Sequence, residues 1–235
     1  MVRRINASWC EQPMKPELEN VLQSSLVNKF VATLGRSIEY GRWEFQYRKY
    51  REQYEIDPTF KFGGPGTILY GDGRIVLGER SFINRYGSFS SSTGCELVIG
   101  KNCAIGPFVL MSTANRSANQ DFSKTGMRVV GDIRVDDDCW VGAGVFINQG
   151  VSVGSNSVVG ANSVVTRDIP PHSIAAGAPA RVIRFKPYLD ETKILELTNM
   201  YWHSLSSTLK RESLHRYPEL KSLKLQKDLL LQRTS

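Results

Sequence analysis

Residues 131–167 read GDIRVDDDCWVGAGVFINQGVSVGSNSVVGANSVVTR, and this stretch decides the fold. Val135, Val141, Ile147, Val153, Val159 and Val165 fall six residues apart, and Val129 extends the series by one place. Neither a helix nor a two-residue alternation has that period. A six-residue unit of short strand plus turn makes one side of a triangular coil, and three units complete a turn. The aliphatic residue points inward and stacks on its equivalents above and below. Each coil buries little alone, so stability comes from stacking on neighbours.

Two further registers precede this run. Leu77, Ile83 and Phe89 form one, and Ile99, Ile105 and Met111 the other. Glycine follows the aliphatic residue at Gly78, Gly100, Gly106, Gly142, Gly154 and Gly160, and small residues recur four places on, as at Ser157 and Ser163. Asn102, Asn156 and Asn162 suit corners that need positive φ. The pattern predicts a mainly β solenoid over residues 61–186. Between Met111 and Val129 the hexads lapse, and the polar run 112–128 reads as a loop thrown out from the coils. Loops on rigid scaffolds tend to carry function.

The two ends read as helical. Leu18, Leu22, Leu26, Phe30 and Leu34 recur at four-residue spacing, which predicts a helix over about residues 14–55, within an N-terminal cap segment 1–60. Trp43, Phe45, Tyr47, Tyr50 and Tyr54 add an aromatic stretch, and a turn-rich lead-in runs from Asp57-Pro58 to Gly66. This segment is expected to cap the first coil, because an open solenoid end is an aggregation edge. In the C-terminal segment 187–235, amphipathic helices are predicted at 189–210 and 218–232, with Ile194, Leu197, Tyr201 and Leu205 on one face. Three roles are open to them: capping the far end, joining a contact between subunits, or peripheral contact with a membrane surface.

Composition narrows the function. The chain has 235 residues and a net charge of +7. No run approaches the ~20 apolar residues of a membrane span, and no secretory pattern follows Met1-Val2-Arg3-Arg4. Cys10, Cys95, Cys103 and Cys139 show neither CxxC pairing nor a histidine at ligand spacing, so no zinc site is expected. Buried thiols fit a reducing cytoplasm. The positive charge comes with no nucleic-acid motif, so a phosphorylated small molecule is the expected partner and nucleic acid is not.

From Gly131 to Arg184, the runs DDDCWVGAGVFINQGVSVGSNSVVGANSVVTRDIPP and AAGAPARVIRF resemble the hexapeptide-repeat acetyltransferases, within them the maltose, galactoside and polysaccharide O-acetyltransferase branch. The resemblance covers residues 67–186. It implies a left-handed parallel β-helix, a homotrimer, and an active site between adjacent solenoids, with acetyl-CoA lying along the groove. It also implies roles by position. Trp140 walls the thioester end. Gly142, Ala143 and Ala161 line the pantetheine arm, where an amide near Gly142 or Ala143 is expected to hold the oxyanion. Thr166, Arg167, Arg181 and Arg184 hold the nucleotide end, where guanidinium groups grip phosphate bidentately. The acceptor implied is a sugar or polysaccharide precursor. No carboxylate stands near Thr93-Gly94, where a maltose-type enzyme is expected to carry one.

The family's general base is a histidine in a T-x-x-H-like setting. Here that setting is Thr113-Ala114-Asn115-Arg116, and Arg116 takes the histidine's place. An arginine stays protonated and cannot act as a base. Four readings stay open: an amine acceptor that needs no base, a substitute base such as Asp121 or His203, a substitution in an otherwise active lineage, or a catalytically impaired relative that binds CoA. A zinc hydrase on this fold is excluded, because His172, His203 and His215 do not lie within the coils.

Overall fold

The computed structural model describes residues 25–118, 120–124, 126–218 and 220. The chain divides into two units, 1–45 and 46–235. The described part of the first unit is the start of helix α1 (Ser25–Gln53), where Leu26, Phe30 and Leu34 are exposed. Leu18 and Leu22 lie outside the described residues, as does Cys10.

The second unit is a three-sided parallel solenoid of five coils. Coil one holds β1 (Glu55–Ile56), β2 (Lys61–Phe62) and β3 (Ile68–Tyr70); coil two holds β4 (Arg74–Leu77), β5 (Phe82–Ile83) and β6 (Ser88–Ser90). Coil three holds β7 (Glu96–Ile99), β8 (Ala104–Ile105) and β9 (Leu110–Ser112). A hairpin of β10 (Ala114–Arg116) and β11 (Arg128–Val130) follows. Coil four holds β12 (Ile133–Val135), β13 (Trp140–Val141) and β14 (Phe146–Ile147); coil five holds β15 (Ser152–Val153), β16 (Val158–Val159) and β17 (Val164–Val165). Equivalent strands pair in parallel along each side. The second side is extended by β18 (Ser173–Gly177) and its antiparallel partner β19 (Ala180–Phe185).

Register explains the sequence pattern. Val135, Val141 and Ile147 sit opposite Val153, Val159 and Val165, a step of 18 residues. Ile99, Ile105 and Met111 sit opposite Val135, Val141 and Ile147, a step of 36, so the hairpin takes up the length of one coil. Leu77 sits opposite Ile99, a step of 22, and the four extra residues at that corner put the early registers out of phase. The inward residues of the coils are buried. Val129 does not belong to the series: it lies on β11 opposite Asn115 and is exposed. Its six-residue offset from Val135 was coincidence. The segment read as a loop over 112–128 is an ordered antiparallel hairpin for part of its length.

The corners behave as the composition predicts. Asn102, Asn156 and Asn162 all have φ of 56°. The glycines after the aliphatic residues have a different cause. A Cβ on Gly142 would lie 2.6 Å from Ala161 N, and one on Gly106 would lie 2.7 Å from Ala143 N. Backbone of the next coil occupies that space, so coil stacking requires glycine there.

A column of small residues runs beside the second side. The Ser81 hydroxyl donates to Gly100 O at 2.6 Å and accepts from Cys103 N at 2.7 Å. The Cys103 thiol donates to Asp136 O at 3.0 Å, the Cys139 thiol to Gly154 O at 3.2 Å, and the Ser157 hydroxyl to Pro170 O at 2.8 Å. The thiols are buried and free, as expected, and they also stitch one coil to the next. Contact with Cys103 and burial push the Cys139 thiol far up, so it stays protonated and donating. Ser81→Ala leaves the Cys103 amide without its acceptor. Stranding a buried donor costs about 1–3 kcal/mol, which a urea titration will read as a lower midpoint at unchanged slope.

Aromatic residues close the first coil. Tyr47, Tyr50 and Tyr54 are buried, and the Tyr47 ring stacks on Phe62 at 4.1 Å. The Tyr47 hydroxyl donates to Gly64 O at 2.6 Å, and Arg51 donates to Asp57 O and Phe60 O. At the other end the helix expected over 189–210 is interrupted. It comprises α2 (Glu191–Met200), a 3-10 turn at Trp202–Ser204, and the start of α3 (Ser207–Arg216). Ser206 caps α3 by accepting from Leu209 N, while its own N–H donates to Val182 O on β19. Docking of Leu205 beside Val182 breaks the helical path. Leu197, Trp202 and Leu205 are buried. The helix expected at 218–232 lies almost wholly outside the described residues. Among those residues, no helix is long and apolar enough to cross a membrane.

Candidate active site

The hairpin leaves the corner between the third side of coil three and the first side of coil four. Arg116 on β10 stands directly opposite Arg128 on β11. Both side chains are exposed, and with Ala114, Asn115 and Gly126 they line a recess of about 480 Å³. Asn115 Oδ1 accepts from Arg116 N at 2.8 Å. Among the described residues neither guanidinium has an acidic partner.

Neither substitute base gains support. Asp121 pairs with Lys124 at 3.4 Å and accepts from the Ser123 hydroxyl and N–H. Those donors hold its carboxyl below the usual range, which weakens it as a base. His203 lies in the 3-10 turn at the far end of the solenoid.

Trp140 projects outward from the second side of coil four, in register with Ala104 below and Val158 above. It is 59% exposed, large for a tryptophan on a rigid strand. In one chain Arg116 and Trp140 sit on different parts of the coil, and among the described residues no hydrogen bond or ring contact joins them. At the corner after Trp140, Gly142 N–H donates to Val159 O at 2.8 Å. That amide is committed to the ladder and cannot hold an oxyanion, which leaves Ala143 N–H of the pair expected for that role. Ala143 and Ala161 follow one another up the ridge, and Ala143 O accepts from Asn162 N.

The cationic residues lie at the C-terminal end of the solenoid, on two elements. Thr166 and Arg167 follow β17 and are exposed, and Arg167 donates to His203 O at 2.8 Å. Arg181 and Arg184 lie on β19, with Arg184 exposed opposite Ile174 and Arg181 donating to Ala180 O. Arg167, Asp168, Tyr201, His203 and Ser204 line a second recess of about 510 Å³. Burial pushes the Tyr201 phenol up. Sequence reasoning missed this recess, which depends on the broken C-terminal helix. It also missed Arg128, whose relation to Arg116 exists only once the segment is a hairpin.

Fold and positions together define a hexapeptide-repeat solenoid with an exposed tryptophan and a basic end. A family model described as the hexapeptide repeat of succinyl-transferase matches residues 132–167. Nodulation protein L of Rhizobium meliloti (strain 1021) is 40% identical over 156 residues, 66% of this chain and 81% of that protein. A Schizosaccharomyces pombe (strain 972) protein, whose name proposes an acetyltransferase, is 40% identical over 130 residues, and the match covers 55% of this chain and 58% of the relative. The crystal structure of a maltose O-acetyltransferase from Clostridium difficile 630 has a TM-score of 0.54 and 27% identity, over 72% of this chain and 89% of that one. The chain belongs to the hexapeptide-repeat acetyltransferases, and its coils form that family's left-handed parallel β-helix.

Proposed function

We propose that this protein moves an acetyl group from acetyl-CoA to a hydroxyl or amine of a sugar. It works as a homotrimer in the cytoplasm, in the synthesis of a surface polysaccharide. The observation that carries the reading is Trp140: a large apolar ring held out from a rigid strand beside the Ala143–Ala161 ridge, in a chain of this family. Such a ring suits the thioester end of a long apolar arm. Arg181 and Arg184 supply cations for the phosphates at the other end. Arg116 and Trp140 lie apart in a single chain, and this supports a site assembled from two neighbouring subunits.

In this reading the acceptor attacks the thioester carbonyl and the Ala143 amide steadies the oxyanion. Collapse of the intermediate breaks the C–S bond, so that CoA leaves as a thiolate and the acceptor's proton ends on CoA or in water. A hydroxyl must lose its proton as it attacks, and Arg116 cannot take it. An unprotonated amine needs no such help. Arg116 therefore favours amine acceptors over hydroxyls. It also favours a second reading, in which the chain binds CoA and its chemistry is slow.

Both readings require CoA binding, which thermal unfolding tests. CoA at 100-fold its dissociation constant is expected to add about 2.7 kcal/mol. Unchanged melting at saturating CoA removes both readings. Thiol release from acetyl-CoA across amino and hydroxyl sugars then separates turnover from binding alone.

A further inference from the structure

We propose that Arg116 and Arg128 form a fork for an anion, so that the acceptor is a sugar bearing a carboxylate or a phosphate. This rests on the acetyl-transfer reading and narrows its substrate class. The two arginines are cross-strand partners on the hairpin. Side chains in such pairs stand roughly 4.5–5.5 Å apart at Cβ, and like charges placed there repel. The repulsion is relieved when an anion lies between them. No acid on the protein does this among the described residues, since Asp121 is taken by Lys124 and Ser123.

Two guanidinium planes offer parallel N–H donors that match the oxygens of a carboxylate or phosphate, whereas lysine presents only a point charge. The recess they line measures about 480 Å³, a size ordinary for a small-molecule site. Asn115, beside Arg116, gives the recess a neutral amide for a hydroxyl, and Gly126 lines it without a side chain. A neutral sugar would leave both arginines in the recess unneutralised.

Calorimetric titration of the full chain with glucuronate, glucose 6-phosphate and glucose tests this directly. At least one anionic sugar is expected to bind about 10-fold or more tighter than glucose, through charge-assisted bonds that glucose cannot make. Arg128→Ala and Arg116→Ala should each remove most of that preference, and Arg128→Lys should keep part of it. Added salt should erode it. Which anion wins separates a carboxylate acceptor from a phosphorylated one. Equal binding of all three sugars overturns the proposal, as does a preference that survives Arg128→Ala in a protein whose circular dichroism melt is unchanged. A preference abolished by saturating CoA also overturns it, because the fork then serves the cofactor. CoA binding measured in the same samples keeps the two readings apart. If CoA does not bind, acetyl transfer fails whatever the sugars do. If CoA binds and no anion is preferred, only the fork fails.

Discussion

Arg116→His raises acetyl transfer to sugar hydroxyls by about 10²–10⁴-fold, the span that general-base help supplies. The position lies on β10 of an ordered hairpin, its side chain is exposed, and among the described residues no salt bridge is lost when the arginine goes, so histidine fits without disturbing the coils. A neutral imidazole can accept the hydroxyl proton as the oxygen attacks, which a guanidinium cannot. The gain should fall on kcat. For an anionic acceptor KM should rise at the same time, because half of the Arg116–Arg128 fork is removed. Amine acceptors should gain little. Steady-state thiol release on matched amino and hydroxyl sugars reads all three effects. A hydroxyl rate that stays flat in Arg116→His means that the hairpin does not deliver this residue to the reacting group.

Val141→Asp is expected to abolish folding. Val141 is fully buried on the inner face of the second side, stacked between Ile105 and Val159. A carboxylate there would lie fully buried between Ile105 and Val159, and an unpaired buried charge costs several kcal/mol. Domain stabilities are about 5–15 kcal/mol, so one such change consumes much of the total. In a solenoid the damage also separates the coils on either side, since each is stabilised by its neighbours. Ile105→Ala in the same stack leaves a cavity and costs about 2–5 kcal/mol, so that protein should still fold and melt lower. Circular dichroism and solubility distinguish the two. A soluble, cooperatively melting Val141→Asp protein contradicts the packing described here.

Where the six-residue period ran unbroken, from Val135 to Val165, sequence and structure agree residue by residue. The reason is physical: each side of a coil buries one aliphatic side chain at a fixed interval, so the spacing writes the geometry directly. The asparagine corners were legible because asparagine favours positive φ, whereas Arg80, Tyr86 and Phe108 take the same conformation with no such signal in the sequence. Val129 misled because periodicity cannot tell a coil strand from a hairpin strand that happens to fall in phase. The cross-strand pairing of Arg116 with Arg128 was hidden for the same cause, and with it the recess between them. At the C-terminal end, four-residue spacing suggested one long helix over 189–210. Docking of Leu205 beside Val182, a contact between residues distant in sequence, broke it. The positions of Trp140, Ala143 and the basic residues came from family resemblance. The structure adds that Gly142 serves coil stacking and that its amide is already bonded.

The central claim is a CoA site running from the outward face of Trp140 to the basic C-terminal end of the solenoid. A crystal structure of the protein with bound CoA tests it most directly. The account predicts a trimer, with the CoA sulfur against the Trp140 ring, the pantetheine arm along Ala143 and Ala161, and the phosphates held by Arg181 and Arg184. A monomer, or CoA bound with its sulfur away from Trp140, would contradict it.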